Sequence, residues 1–244
     1  MKTKIAKSNN RNMCITQTLP GAFLLSLVLG CSPAKDATAQ SDKASPAPAT
    51  PQADILRYDA QPGGGKVKIE GTSSIHDWNM ESPVIGGFME TDAGFPESAL
   101  KGGAAAKPKV EIFIPVRSLK SYNKRMDEVY QEHMEEPKFK KMEYKLTELK
   151  AKGDAPKAGK CEFDAVGALN IHGVSKAFTM PVTIEKIEVE KEGKKVQQLK
   201  IVGATQLKMS DYGVKPPNPN IPGIGQITTG DEIKVTFEWS PRQK

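Results

Sequence analysis

From Ile55 onward, apolar and polar residues alternate with a period of two. Val67, Ile69 and Gly71 alternate with Lys66, Lys68 and Glu70. Val110, Ile112, Ile114 and Val116 share one face. Cys161, Phe163, Ala165, Gly167, Leu169 and Ile171 oppose Glu162, Asp164 and Asn170. Phe178, Met180, Val182 and Ile184 repeat the pattern, as do Leu199, Ile201, Gly203, Thr205, Leu207 and Met209. A last segment sets Ile233, Val235, Phe237 and Trp239 against Lys234, Thr236 and Glu238. One apolar face and one wet face is the signature of antiparallel strands packed on one side. With residues 84–90 and 142–149 added, the pattern predicts at least eight strands, several of them long. Closing such strands into a barrel removes their exposed edges.

One segment departs from this period. Residues 121–136 are rich in helix formers, and Met126, Val129, Tyr130, His133 and Met134 recur at three- and four-residue spacing before Pro137. This predicts one amphipathic helix with its apolar stripe against the barrel. No second such helix and no strand–helix–strand alternation is expected. Residues 214–229 carry four Pro and two Gly. A connection of that length is either a stiff irregular link or a lid or binding element.

Ahead of the strands lie segments of another kind. Residues 2–11 are basic, residues 21–29 are a short apolar run, and Gly30-Cys31 follows. This is the order of a secretory signal. Val28-Leu29-Gly30-Cys31 resembles the lipobox of bacterial lipoproteins, with Val28 where Leu is usual. The resemblance implies a signal peptide over 1–30 and lipidation of Cys31, which would anchor the chain to the membrane. Ser32 after the Cys implies the outer membrane, facing the periplasm or exported. Residues 31–54 are dominated by Ala, Pro, Ser and Thr and predict a flexible tether. The domain proper is expected over 55–242. Cys14 would leave with the signal, so Cys161 has no disulfide partner and is expected to be buried as a small hydrophobe.

Composition adds limits. The 244 residues are 38% hydrophobic and 26% charged, enough for one sizeable core. No run reaches the ~20 apolar residues of a spanning helix. Four of the 35 Lys and Arg (Lys2, Lys4, Lys7 and Arg11) lie in the first 30 residues, which hold no acid. The remaining 31 bases face 29 acids, so a basic nucleic-acid-binding surface is not expected.

A catalytic or metal centre needs convergent side chains. The three histidines, His76, His133 and His172, have no chelating spacing. Cys161 sits mid-strand among apolar neighbours, a poor place for a thiolate. Nucleophile-elbow, phosphate-loop and dinucleotide motifs are absent. The expectation is a non-enzymatic protein with no metal and no cofactor. What remains is the inward face. Gly71, Gly86, Ala165, Gly167 and Gly203 stand among Phe88, Phe163, Phe178 and Phe237. Small residues beside aromatics suit a tapering packed core and an elongated apolar tunnel equally.

Several motifs then fall into one order. Ser73-Ser74-Ile75-His76-Asp77-Trp78 resembles an early signature of a branch of the YceI-like family. Residues 110–119 resemble its strand leading to the helix, and Met126-Asp127 and Pro137-Lys138-Phe139 its helix and following turn. Residues 167–176 with Met180-Pro181-Val182 are the most specific match. Residues 209–213 and 230–233 complete it. The resemblance implies an eight-stranded, antiparallel, lipocalin-like barrel that holds a long isoprenoid or fatty chain non-covalently. On that reading the chain binds, carries or sequesters a polyisoprenoid, quinone or fatty-acyl amphiphile. Phe88, Ile112, Ile114, Phe163, Leu169, Phe178, Met180 and Phe237 are expected to line the cavity. His76, Trp78 and Arg125, with Lys124, are expected at the mouth. The alternatives are a filled barrel that serves as an envelope interaction module, and an enzyme acting on lipid-like substrates.

Overall fold

A computed structural model describes residues 55–101 and 106–244. The expected signal peptide, tether and lipidated Cys31 lie outside the described residues. Along the chain run strands β1 (Ile55–Asp59), β2 (Gly65–Ser73), β3 (Trp78–Ser82) and β4 (Gly86–Asp92), helix α1 (Glu97–Lys101), and β5 (Lys109–Pro115). Helix α2 (Lys124–His133) precedes β6 (Lys141–Ala151), β7 (Lys160–Ile171), β8 (Val174–Lys191) and β9 (Lys194–Lys208). A small hairpin, β10 (Asn220–Ile221) and β11 (Gly225–Gln226), leads to β12 (Thr229–Trp239) and β13 (Arg242–Gln243).

The protein is all-β, built on an eight-stranded antiparallel barrel. The number is eight because three strands are interrupted. β12 and β13 both pair with β9, one after the other. β12 then pairs with β2 and β13 with β1, while β3 pairs with β2 and β4 with β1. Each pair of short strands therefore acts as one barrel strand. Backbone hydrogen bonds bridge the interruptions: the Ser240 N–H donates to the Gly64 carbonyl at 2.6 Å, and the Ala60 N–H to the Gly87 carbonyl at 2.9 Å. Every strand neighbours the next in sequence, and the last returns to the first. Register in the longest strands is pinned by two-residue turns, His172-Gly173 and Glu192-Gly193, with positive φ at all four residues. That is the turn geometry whose twist matches paired strands.

Alternation along each strand delivers the core. Tyr58, Phe95, Leu149, Cys161, Phe163, Ile184, Leu199 and Trp239 are buried together in the half of the barrel away from the β2–β3 turn. The segment that holds Phe95 and α1 covers this end: Ala99 and Leu100 are buried, and the Phe95 ring stacks against Phe163 with centroids 6.2 Å apart. Cys161 is buried there as expected, and burial pushes its thiol above the ordinary range. The small inward residues are covered by rings. A Cβ on Gly71 would meet the Trp78 indole, one on Gly167 the Tyr144 ring, and one on Gly203 the Phe237 ring at 2.6 Å. These glycines are sockets for cross-strand aromatics, a packing device rather than the walls of a tunnel.

Two expectations need correction. Phe88 faces outward: the Arg57 guanidinium lies 4.1 Å above its ring, and the neighbouring Met89 is the buried residue. Phe88 and Met89 are both apolar, so alternation could be read either way. The inward set here is Ile85, just before β4, with Met89 and Thr91. The helical segment is also shorter than 121–136, and a second helix, the five-residue α1, is present.

Candidate functional site

The opposite end of the barrel is open and is roofed by two elements. One is α2. Asn123 stops the incoming chain in extended conformation, and its side-chain oxygen accepts the Met126 N–H at 3.2 Å, which caps the helix. Asp127 takes the Ser121 N–H at 2.8 Å and the Ser121 hydroxyl at 2.7 Å, fixing the angle at which the helix starts. The other roof element is the 214–229 segment, with its β10–β11 hairpin. It is tied down at both margins. Asp231 accepts the Ser210 N–H at 2.8 Å and the Ser210 hydroxyl at 2.5 Å. The Ser74 N–H donates to the Thr228 carbonyl at 2.8 Å. A satellite core of Val116, Met134 and Val214, with Met142, Ile171 and Met209 beside it, props both elements from below.

Between roof and barrel lies a cavity of about 490 Å3. Its floor is Ile69, Met80, Met142, Ile171, Leu207 and Ile233, one from each of six strands. The helix contributes its whole stripe of Met126, Val129, Tyr130, His133 and Met134. The second roof element contributes Val214, Pro217, Pro219, Ile221, Pro222 and Ile227. Polar groups are few: Ser73, His76, Asn123, Arg125, Asn220 and Thr229, with the polar ends of Tyr130, His133 and Tyr212. The volume lies within the ~300–1,000 Å3 of ordinary small-molecule sites, which are mostly apolar with a few placed polar groups.

The β2–β3 turn builds the rim. The Ser73 hydroxyl donates to the His76 carbonyl at 2.6 Å and accepts the His76 N–H at 3.3 Å. His76 Nδ1 donates to the Asp77 carbonyl at 2.7 Å, since a carbonyl can only accept. The chain thus turns before Asp77 and keeps that carboxylate exposed. Trp78 lies over Gly71, its indole N–H donating to the Thr72 carbonyl at 3.1 Å. Arg125 reaches only Glu128, at 3.4 Å, and both are exposed. An exposed pair of this kind is worth ~1 kcal/mol at most, so the guanidinium can be recruited by a ligand. Burial pushes the Tyr130 and Tyr212 phenols above their ordinary range, so both are neutral donors.

The structure brings the three mouth positions His76, Trp78 and Arg125 together on the cavity wall. It does not do so for the eight barrel positions. None of Phe88, Ile112, Ile114, Phe163, Leu169, Phe178, Met180 and Phe237 is among the lining residues. Phe163 and Met180 are buried, and Ile112, Ile114, Leu169, Phe178 and Phe237 pack against the same core at or beneath the cavity floor. Rings over the glycines and the Phe95–Phe163 stack occupy this part of the barrel. The walls that sequence reasoning missed come from the roof. Its two signals, the helical stripe and the long Pro-rich loop, are visible in the sequence, but period-two alternation does not report that they face each other.

Known proteins place this architecture. A family model for the YceI-like domain matches residues 58–240, and the chain belongs to that family. The fold is similar to BcnA of Burkholderia cenocepacia, with TM-score 0.52 and 14% identity over 75% of this chain and 99% of that one. It is also similar to a polyisoprenoid binding domain from Saccharophagus degradans implicated in plant cell wall breakdown, with TM-score 0.53 and 10% identity over 78% and 99%. No curated protein matches by sequence.

Proposed function

We propose that this protein binds an isoprenoid or acyl amphiphile non-covalently in the cavity beneath α2 and the 214–229 segment, and carries or sequesters it as a lipid-anchored protein of the cell envelope. The observation that carries this reading is the cavity itself, lined mainly by apolar side chains with a few polar groups among them. At the ~30 Å3 that a water molecule fills in the liquid, 490 Å3 holds about 16 non-hydrogen atoms. That suits one acyl chain or a short prenyl tail. A longer polyprenyl tail requires the 214–229 segment to lift. Burying a few hundred Å2 of tail at ~25 cal/mol per Å2 contributes on the order of 10 kcal/mol before association costs. Affinity then needs few polar contacts, and His76, Asn123 and Arg125 suffice to orient a head group. The neighbour described as a polyisoprenoid binding domain supports the ligand class.

Native mass spectrometry and organic extraction of the purified protein test the reading. One bound isoprenoid or acyl lipid is expected, and Val129→Phe, which fills the cavity from the helix side, should remove it. A lipid-free protein that takes up neither farnesol nor palmitate would contradict it. Anchoring is tested separately. Cys31→Ser should move the chain out of the detergent phase or leave it unprocessed, and unchanged partitioning would contradict a lipid anchor.

A further inference from the structure

Six large apolar side chains are exposed among the described residues, and three of them crowd the mouth of the cavity. Ile75 is 49% exposed in the β2–β3 turn, Tyr122 is 87% exposed just before the cap of α2, and Ile224 is 63% exposed at the tip of the β10–β11 hairpin. Each is close in sequence to the cavity wall: Ile75 lines it, Tyr122 adjoins Asn123, and Ile224 is two residues from Pro222. The segments that carry the three tips are tied to neighbours at the mouth. On one side, the Glu81 and Lys120 backbones pair and bring the 120–123 segment beside β3. On the other, Ser74 is hydrogen-bonded to Thr228.

Local geometry holds these residues outward. Tyr122 has φ of 64°, a left-handed conformation that bulky residues rarely adopt, and Ile224 is flanked by Gly223 and Gly225 at φ of 82° and 96°. A conformation this uncommon at an 87% exposed tyrosine is not required by any core contact. Two lysines stand free of carboxylates beside these tips. Asp127 and Glu128 are taken by Lys120 at 3.6 Å and Arg125 at 3.4 Å. Lys124 and Lys215 are exposed at the rim and in no ion pair among the described residues; the nearby exposed acids without an ion pair are Asp77 at the rim and Glu132, two turns further along α2. The chain reaches the barrel at Ile55, paired with Asp92 at the end away from the mouth.

We propose that this rim docks on a lipid bilayer, with Ile75, Tyr122 and Ile224 inserted at the head-group boundary and Lys124 and Lys215 against anionic head groups. An amphiphile then passes between membrane and cavity without crossing water. The inference rests on the amphiphile reading above and adds the surface from which the ligand comes. Apolar tips flanked by lysines are the composition that binds such interfaces.

The full chain carrying an environment-sensitive fluorophore at Ile224→Cys or Tyr122→Cys, with Lys157→Cys at the far end as control, is mixed with phosphatidylcholine vesicles containing or lacking phosphatidylglycerol. Rim labels should be protected from an aqueous quencher by about fivefold or more, most with the anionic lipid, while the Lys157 label stays open. The double variant Tyr122→Ser, Ile224→Ser, at two tips outside the cavity lining, should slow uptake of a fluorescent fatty acid from vesicles by about tenfold, with final occupancy unchanged. Equal quenching at rim and control positions would overturn docking. So would rim protection without vesicles, which would mean that a second copy covers the patch. Rim protection by vesicles with no lipid taken up would support docking and remove the amphiphile reading instead.

Discussion

The two ends of this barrel are made of the same strands and differ in what fills them. At the closed end, β6, β7, β8 and β9 send Leu149, Phe163, Ile184 and Leu199 inward against Phe95 and α1, and each of these residues is at most 3% exposed. At the open end β6, β7 and β9 send in Met142, Ile171 and Leu207, which line the cavity. The space there is closed by a helix stripe and a Pro-rich loop at cavity distance. Strand alternation therefore builds a wall and does not decide whether there is anything behind it. That is decided by the elements that enter from outside the sheet.

The comparison can be broken by mutation, and the largest effect belongs to the closed end. Phe163→Ala removes a ring that is 0% exposed and stacked on Phe95, and should cost ~3–5 kcal/mol in chemical denaturation while lipid content per folded molecule is unchanged. A loss below ~1 kcal/mol would mean that the closed end is hollow. Gly167→Ala should cost ~1–3 kcal/mol, because the new Cβ meets the Lys145 carbonyl and the Tyr144 ring and one of them must move. Val129→Phe at the open end should change stability by less than ~1 kcal/mol, since the added ring enters empty space, and should still abolish lipid retention.

The smallest effect concerns the tie of the roof. The Ser210 hydroxyl and backbone N–H hold the Asp231 carboxyl below the ordinary aspartate range. A depressed folded-state value means that the tie contributes above the unfolded-state range and is lost as pH falls through the folded-state value. Amide protection over 209–214 should therefore be full at neutral pH and weaken only in acid. Asp231→Asn should weaken it already at neutral pH. Protection that does not vary with pH would show that this carboxylate does not hold the loop.

The sequence shows its fold well and its site in part, for identifiable reasons. Period-two runs such as Cys161 to Ile171 are long enough to report both strand and face, and the structure buries that face. Where two apolar residues adjoin, as at Phe88-Met89, parity is undetermined, and the outward Phe88 is the consequence. The mouth positions were legible because Ser73 to Trp78 cannot continue as a strand without burying Asp77. The cavity floor was not, since alternation assigns Leu207 and Phe163 to the same face and carries no depth along the barrel. Gly71, Gly167 and Gly203 likewise read as gaps in one dimension and as sockets for rings in three.

The central claim is that the ligand sits at the open end, above a solid core. Electron density for the co-purifying lipid in a crystal of the purified protein tests it most directly. Density should lie between α2 and the 214–229 segment, resting on Met142, Leu207 and Ile233 with its polar end near His76 and Arg125. Density that runs past Phe178 and Phe163 toward α1 would contradict the account.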